Sequence, residues 1–234
     1  MNYTLEQIEK TIKAKGYKWF ENGDFNLNMI GVRNSSTGDV VTNLFDDTMT
    51  LSYKENGTWK FHQWAATTEP GKKGMLEGKA VGGVAFVVPN QYPGAYRIGM
   101  HFNYEALSQK GDISVYRDDN YNMKFDKKKI TTGNWYGINI HKAGADSTWV
   151  ENWSEGCQVF KRDRDFNQFM DICRTSRKIY GNSFTYTLLE SSDIEKANAP
   201  AVPTAPTAPT APAPVKAITD KTKSQEQKET TKKK

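Results

Sequence analysis

Between residues 49 and 61, large apolar side chains recur at every second position: Met49, Leu51 and Tyr53, then Trp59 and Phe61 beyond an Asn56-Gly57 pair. A period of two belongs to a strand with one buried face. Asn-Gly accepts the positive φ angles of a tight hairpin turn. A chain with such a hairpin must build a sheet and cover one side of it. Further strands are predicted over 26–33, 83–88, 95–100, 112–117, 135–141 and 183–189, between clusters of Gly, Pro, Asn and Asp. Many strands and few helices imply a mainly β, β-rich α+β domain.

Two helices are expected beside the sheet. Thr4-Leu5-Glu6-Gln7 fits a capping box, Leu5, Ile8 and Ile12 line one face, and Gly16 suits a left-handed stop, giving a helix over 4–15. From Asp165, the residues Phe166, Phe169, Met170 and Cys173 follow at i, i+3, i+4, i+7, so Cys173 reads as a core residue of a second helix. The folded domain is expected to span 1–195.

After Ile194 the composition changes. Pro200 to Pro214 holds six of the nine prolines, with Pro-Thr-Ala repeating at a period of three. Such a segment buries too little apolar area to fold and favours extended polyproline II, so 196–215 is expected to be a linker. Residues 216–234 read as a disordered Lys-rich tail. From Lys196 onward there are eight Lys against Asp220, Glu226 and Glu229, so the body carries 32 − 8 = 24 basic and 27 − 3 = 24 acidic residues. The net charge of +5 therefore belongs to the tail, and a basic nucleic-acid groove on the body loses its support. The tail itself suits contact with an anionic wall polymer, a membrane surface or nucleic acid.

No signal-peptide pattern opens the chain, and the longest purely apolar run, Val84 to Val88, is far short of a membrane span. Two Cys in 234 residues make no disulfide framework, so reduced thiols are expected. No cofactor or metal is implied: no Cys/His cluster has zinc spacing. In the sequence Asp118, Asn120, Asn122 and Asp126, a calcium loop would need Gly where Met123 stands and Glu where Lys129 stands.

The chemistry concentrates in IHKAGADSTWVENWSEGCQVF, residues 140–160. All three His, His62, His101 and His141, precede Cys157, which excludes peptidases whose Cys comes first. A thiol needs a base within reach to act as nucleophile. Tyr136 to His141 alternates as a strand, with Ile138 and Ile140 on one face and Asn139 and His141 on the other. A loop from Lys142 to Asn152 can return Cys157 to His141. Gly156 permits a tight turn there, in which the N–H groups of Gly156 and Cys157 face a developing oxyanion.

His141, a short insert and then Ser154-Glu155-Gly156-Cys157 resembles the signature of the L,D-transpeptidase catalytic domain, over roughly 135–160. More loosely, WAATTEPG (64–71), NQYPGAYRIG (90–99) and SVYRDDN (114–120) resemble phage and prophage proteins carrying that signature. The resemblance implies a mainly β catalytic fold acting on peptidoglycan stem peptides through a Cys acyl-enzyme. In it Cys157 is the nucleophile, His141 the base and the Lys142 carbonyl the group that orients the imidazole. Amides near Gly156 form the oxyanion hole, Ser154 supports the loop, and Trp153 and Glu155 flank the substrate. A phage lysin with this site would leave the host cytoplasm on lysis or travel on the virion. The sequence departs from the family at Glu155, where a second His is usual, and at Gln158-Val159, where a hydrophobic residue and Asn or Arg are usual. A carboxylate beside the thiol resists thiolate formation.

Two alternatives stand beside this reading. A sortase-like transpeptidase would use His101 as base and Arg162 at the oxyanion. A catalytically inactive virion or wall-binding module would keep the fold without the reaction. His62 and His101 otherwise read as ordinary structural residues, and Trp149 as core.

Overall fold

A computed structural model describes residues 2–78 and 80–200. Eleven strands and four helices make it mainly β. The expected linker and Lys-rich tail lie outside the described residues from 201 onward. Residues 196–198, placed in the linker by composition, instead complete a helix, and the compact unit ends at Ala199.

Eight strands close a barrel. β1 (Asn28–Arg33) pairs antiparallel with β2 (Asp47–Glu55) and parallel with β11 (Phe184–Glu190), and so joins the two ends of the sheet. β2 and β3 (Thr58–Thr67) form the expected hairpin, with Asn56 at φ 51 and Gly57 at φ 73 in its turn. From β11 the wall continues through β5 (Gln91–His101), β6 (Tyr104–Gln109), β9 (Ile140–Lys142) and β10 (Gln158–Phe160) back to β3. A second sheet, in the order β4 (Val84–Val87), β7 (Ile113–Asp118) and β8 (Lys129–Gly133), is separate from the barrel's hydrogen-bond ladder but packs Ala85, Val87, Ile113 and Val115 into the same core.

The period of two is visible in β1. Met29 faces the barrel core, whereas Ile30 and Val32 face helix α1 (Leu5–Ala14) and α4 (Ser191–Asn198). α1 carries the expected Thr4–Gln7 capping box. α3 (Asp163–Tyr180) starts two residues earlier than expected and closes the core with Phe166, Phe169, Met170 and a fully buried Cys173. The short α2 (Lys72–Glu77) packs Met75 beneath the second sheet with Phe86 and Phe125. None of the described helices is long and apolar enough to cross a membrane.

The predicted strand over 135–141 is mostly absent, since only Ile140 and His141 of that range pair as β9. Gly137 at φ 69 breaks the extended run. The backbone groups beyond it are satisfied by side chains: Ile138 N–H donates to Gln109 Oε1 at 3.0 Å and Asn139 N–H to Cys157 Sγ at 3.4 Å. β6 meets β9 at one pair, Leu107 opposite Ile140. This is the weakest seam in the barrel wall, and the candidate site lies along it.

Candidate active site

β9 and β10 are neighbouring parallel strands, with Gln158 opposite Ile140 and Val159 opposite His141. One step back in the same register sets Cys157 level with Asn139. Residues two apart share a face, so thiol and imidazole emerge on one side as diagonal neighbours in this register. Ile138 and Ile140 turn the other way into the main core, as the alternation predicted.

The Ser154–Cys157 turn is pinned on every side. Ser154 is buried; its Oγ donates to the Cys157 carbonyl at 2.9 Å and accepts the Gly156 N–H at 3.1 Å. Gly71 N–H donates to the Ser154 carbonyl at 2.9 Å and Ala85 N–H to that of Glu155 at 3.0 Å. Gln158 Nε2 donates to the Gly156 carbonyl at 3.1 Å, and Tyr186 OH holds Gln158 Oε1 at 2.7 Å. Gly156 is required twice over: its φ is 140, and an added Cβ would lie 2.6 Å from Ala85 O and 2.9 Å from Ala85 Cβ. The expectation that the Gly156 amide faces an oxyanion is corrected, because Ser154 uses it. Of the two amides expected to face an oxyanion, that of Cys157 makes no described hydrogen bond.

His141 is buried, and its Nδ1 lies 2.9 Å from the Lys142 carbonyl oxygen. A carbonyl only accepts, so Nδ1 carries the proton and Nε2 presents a lone pair. The Lys142 carbonyl thus occupies the place expected for it. Burial, reinforced by the neighbouring His101, outweighs this hydrogen bond and brings the imidazole down to about 4. It is a neutral acceptor at physiological pH.

His101, read from the sequence as structural, stacks on His141 with ring centroids 4.3 Å apart and planes 23° from parallel. Asn139 fixes its tautomer. The Asn139 Oδ1 accepts from Gln109 N–H at 3.0 Å, so its Nδ2 is the group that donates to His101 Nδ1 at 3.2 Å. Proton and lone pair are therefore placed oppositely in the two rings. Tyr104 closes the side of the site, with its OH 3.5 Å from the Lys142 carbonyl oxygen and its ring under Lys142 Nζ at 5.2 Å. Sequence reasoning set Asn139 on the face of His141 and offered His101 only as the base of the sortase-like alternative; it missed Gln109, Tyr104 and the stacking of His101 on His141. The one available signal was the brevity of the link between β5 and β6, which folds His101 and Tyr104 opposite each other.

Cys157 is half-buried, and its Sγ donates to the Gly137 carbonyl at 3.4 Å. No described hydrogen bond joins it to His141. Burial pushes the thiol up to about 11; the Asn139 N–H opposes this and the Glu155 charge adds the smallest push. Glu155 is exposed, and its Cγ lies beside Gly74 of α2. Burial, more than the departure at Glu155, therefore sets the thiol. In the present geometry the Sγ–H points to Gly137 O, so it would have to turn away from that carbonyl to reach any other acceptor.

The remaining expectations sort readily. Trp153 is exposed beside the loop, and so is Trp149, which was expected in the core. Arg162 is engaged by Asp146, its Nε 3.2 Å from Oδ2, which weakens its proposed oxyanion role. His62 lies flat on Trp64, at 5.4 Å and 2°, as a structural residue. Asp118 and Asn122 accept backbone N–H groups of their own turn. Among the described residues no group of three or more His, Cys, Asp or Glu is arranged to hold a metal ion. Comparison with family models, with curated proteins and with solved structures returns no match.

Proposed function

We propose that the protein is a peptidoglycan-directed cysteine enzyme, a lysin of the L,D-transpeptidase type, that cleaves or transfers stem-peptide amide bonds through a Cys157 acyl-enzyme. The observation that carries this reading is the parallel β9–β10 pair. It sets a thiol and a proton-accepting imidazole on one face, with His141 oriented by the Lys142 carbonyl. A thiol raised to about 11 beside an imidazole lowered to about 4 does not rest as an ion pair. Proton transfer therefore accompanies attack. The S–H proton passes to His141 Nε2 as sulfur bonds to the substrate carbonyl carbon. The Cys157 N–H receives the oxyanion, and the C–N bond breaks as His141 returns the proton to the leaving amine. Water or an acceptor amine then takes the acyl group.

A second reading, an inactive wall-binding module on the same fold, draws on the raised thiol and on the Gly156 amide already used by Ser154. The two part cleanly in one experiment. Wild type and Cys157→Ala are incubated with purified peptidoglycan and the products identified by mass. New stem-peptide termini from wild type alone are expected, with a loss of at least about 10³-fold in the variant, the scale for removing an acyl-transfer nucleophile. Identical products from both would remove the nucleophile assignment, and absence of products with retained wall binding would favour the module.

A further inference from the structure

Three peptide planes lead through the Ser154–Cys157 turn into β10, and they are not held alike. The plane from Glu155 to Gly156 is fixed at both ends, its carbonyl by Ala85 N–H at 3.0 Å and its N–H by Ser154 Oγ at 3.1 Å. So is the plane from Cys157 to Gln158, whose carbonyl accepts from Ser154 Oγ at 2.9 Å and whose N–H donates to Asn139 O at 2.9 Å. Between them, the plane from Gly156 to Cys157 has a single described hydrogen bond, from Gln158 Nε2 to the Gly156 carbonyl at 3.1 Å. Glycine tolerates either orientation of the peptide that follows it, so the backbone at Gly156, with φ 140, does not choose one. The Gln158 side chain does.

That side chain is held with some expense of structure. Gln158 begins β10 opposite Ile140 and is wholly buried. A buried amide costs free energy unless its polar atoms are paired, and the hydrophobic residue usual here in the family that the site resembles could make neither of the bonds Gln158 makes. Tyr186 of β11, also wholly buried, donates its hydroxyl to Gln158 Oε1 at 2.7 Å. Tyr186 has room because β1 carries Gly31, where an added Cβ would overlap the Tyr186 hydroxyl. β11 and β10 stand on opposite walls of the barrel, so this polar line crosses the interior and ends on the Gly156 carbonyl. None of the described peptide bonds is cis, and in a planar trans peptide C=O and N–H point in opposite directions. Drawing the Gly156 carbonyl inward therefore turns the Cys157 N–H away from the interior.

We propose that Gln158, held by Tyr186, is the positioning residue of the oxyanion site: it orients the Gly156–Cys157 peptide so that the Cys157 N–H faces the oxygen of an acyl group bonded to Sγ. The inference rests on reading Cys157 as an acyl-transfer nucleophile but not on peptidoglycan as the substrate, so a small acyl donor tests it.

Cys157 is reacted in two ways that share the thiol and differ in the oxyanion. With p-nitrophenyl acetate, sulfur bonds to the carbonyl carbon, the carbonyl oxygen becomes an oxyanion, and nitrophenolate leaves as the thiol proton passes to base. With iodoacetamide, sulfur displaces iodide from a CH2 carbon, the proton again passes to base, and no oxyanion forms. Each rate is measured above that of Cys157→Ala. Gln158→Met, which keeps the volume and removes both hydrogen bonds, should slow acetylation at least about tenfold and leave alkylation within about twofold, since outright removal of an oxyanion donor costs about 10²–10³. Tyr186→Phe, which frees the amide without removing it, should give a smaller loss with the same selectivity, and it carries the test if Gln158→Met does not fold. Equal slowing of the two reactions would reduce Gln158 to a packing residue; acetylation unchanged in the variants, or absent from wild type, would remove the oxyanion role. Each of these results overturns the proposal. Selective loss of acetylation in a protein whose wild type releases no stem-peptide termini from peptidoglycan would keep the positioning role and remove the wall substrate; termini without selective loss would do the reverse.

Discussion

Two stretches of the barrel wall are built in opposite ways. Between β2 and β3 the ladder runs unbroken through nine opposed pairs, from Asp47 opposite Ala66 to Glu55 opposite Thr58. Between β6 and β9 there is one pair, and the gap is filled by Gln109, whose side chain bonds Ile138 N–H, Gly111 O and Gly133 O. A continuous ladder satisfies its own backbone groups and leaves nothing over for chemistry. The broken seam has backbone groups to spare, and it is there that Gly137 O and Asn139 N–H take hold of a thiol. The regular wall supports the fold, and the irregular wall carries the candidate reaction.

The largest effect that would break this contrast comes from glycine. Gly57 in the hairpin turn has φ 73 and open space around its Cα, whereas Gly156 has φ 140 and backbone within 2.6 Å of an added Cβ. Gly57→Ala should cost only the left-handed penalty, about 1–2 kcal/mol. Gly156→Ala must also displace β4 and should cost more than about 3 kcal/mol. Chemical denaturation of both variants checks the difference, and equal losses would mean that the Ser154–Cys157 turn is no more constrained than an ordinary hairpin.

The next effect is set by pH. His141 sits near 4 in the fold against an ordinary 6.5, so the unfolded chain binds the proton first and stability is lost as pH falls from 6.5 toward 4. Cys157 sits near 11 against an ordinary 9, so the unfolded chain loses its proton first and stability is lost as pH rises from 9 toward 11. Between pH 6.5 and 5 the acid arm from His141 should approach about 2 kcal/mol, at 1.36 kcal/mol per unit. Unfolding free energies of wild type minus His141→Gln measure that arm, and wild type minus Cys157→Ser the alkaline one. A flat difference in either would mean that the seam admits water freely.

The same contrast explains what the sequence disclosed. The β2–β3 hairpin was legible because a period of two and an Asn-Gly turn are local signals, and α1 because its cap lies within four residues. β9 and β10 have three residues each, too few for any period to show. His141 and Cys157 were legible through their spacing to Gly156. Asn139 was legible as a same-face neighbour of His141, but the stacking of His101 and the bridging by Gln109 were not, because those two reach the site only when β5 and β6 fold back across the seam, a contact between distant segments. Glu155 drew suspicion from its place in the motif, yet burial acts on the thiol more strongly than its charge does. The tendency of a thiol to ionise is decided by what covers it, which adjacent letters do not record.

The smallest effect concerns the two stacked imidazoles, and it sharpens the comparison most finely. His101 and His62 are both partly buried histidines on neighbouring aromatic or imidazole rings, His62 against Trp64 in the regular wall and His101 against His141 at the seam. His101 acts through its neighbour: its charge disfavours protonation of His141 and lowers it further. His101→Gln should therefore raise the His141 pKa by less than about one unit, on the scale of a partly screened like-charge pair. His62→Gln, on β3 and two strands away across β10, should leave it where it is. Titrating the His141 ring by NMR in both variants reads this directly. A rise of equal size in both would assign the lowering to burial alone and reduce His101 to a packing residue, since only a ring in contact with the base can shift its proton affinity through charge.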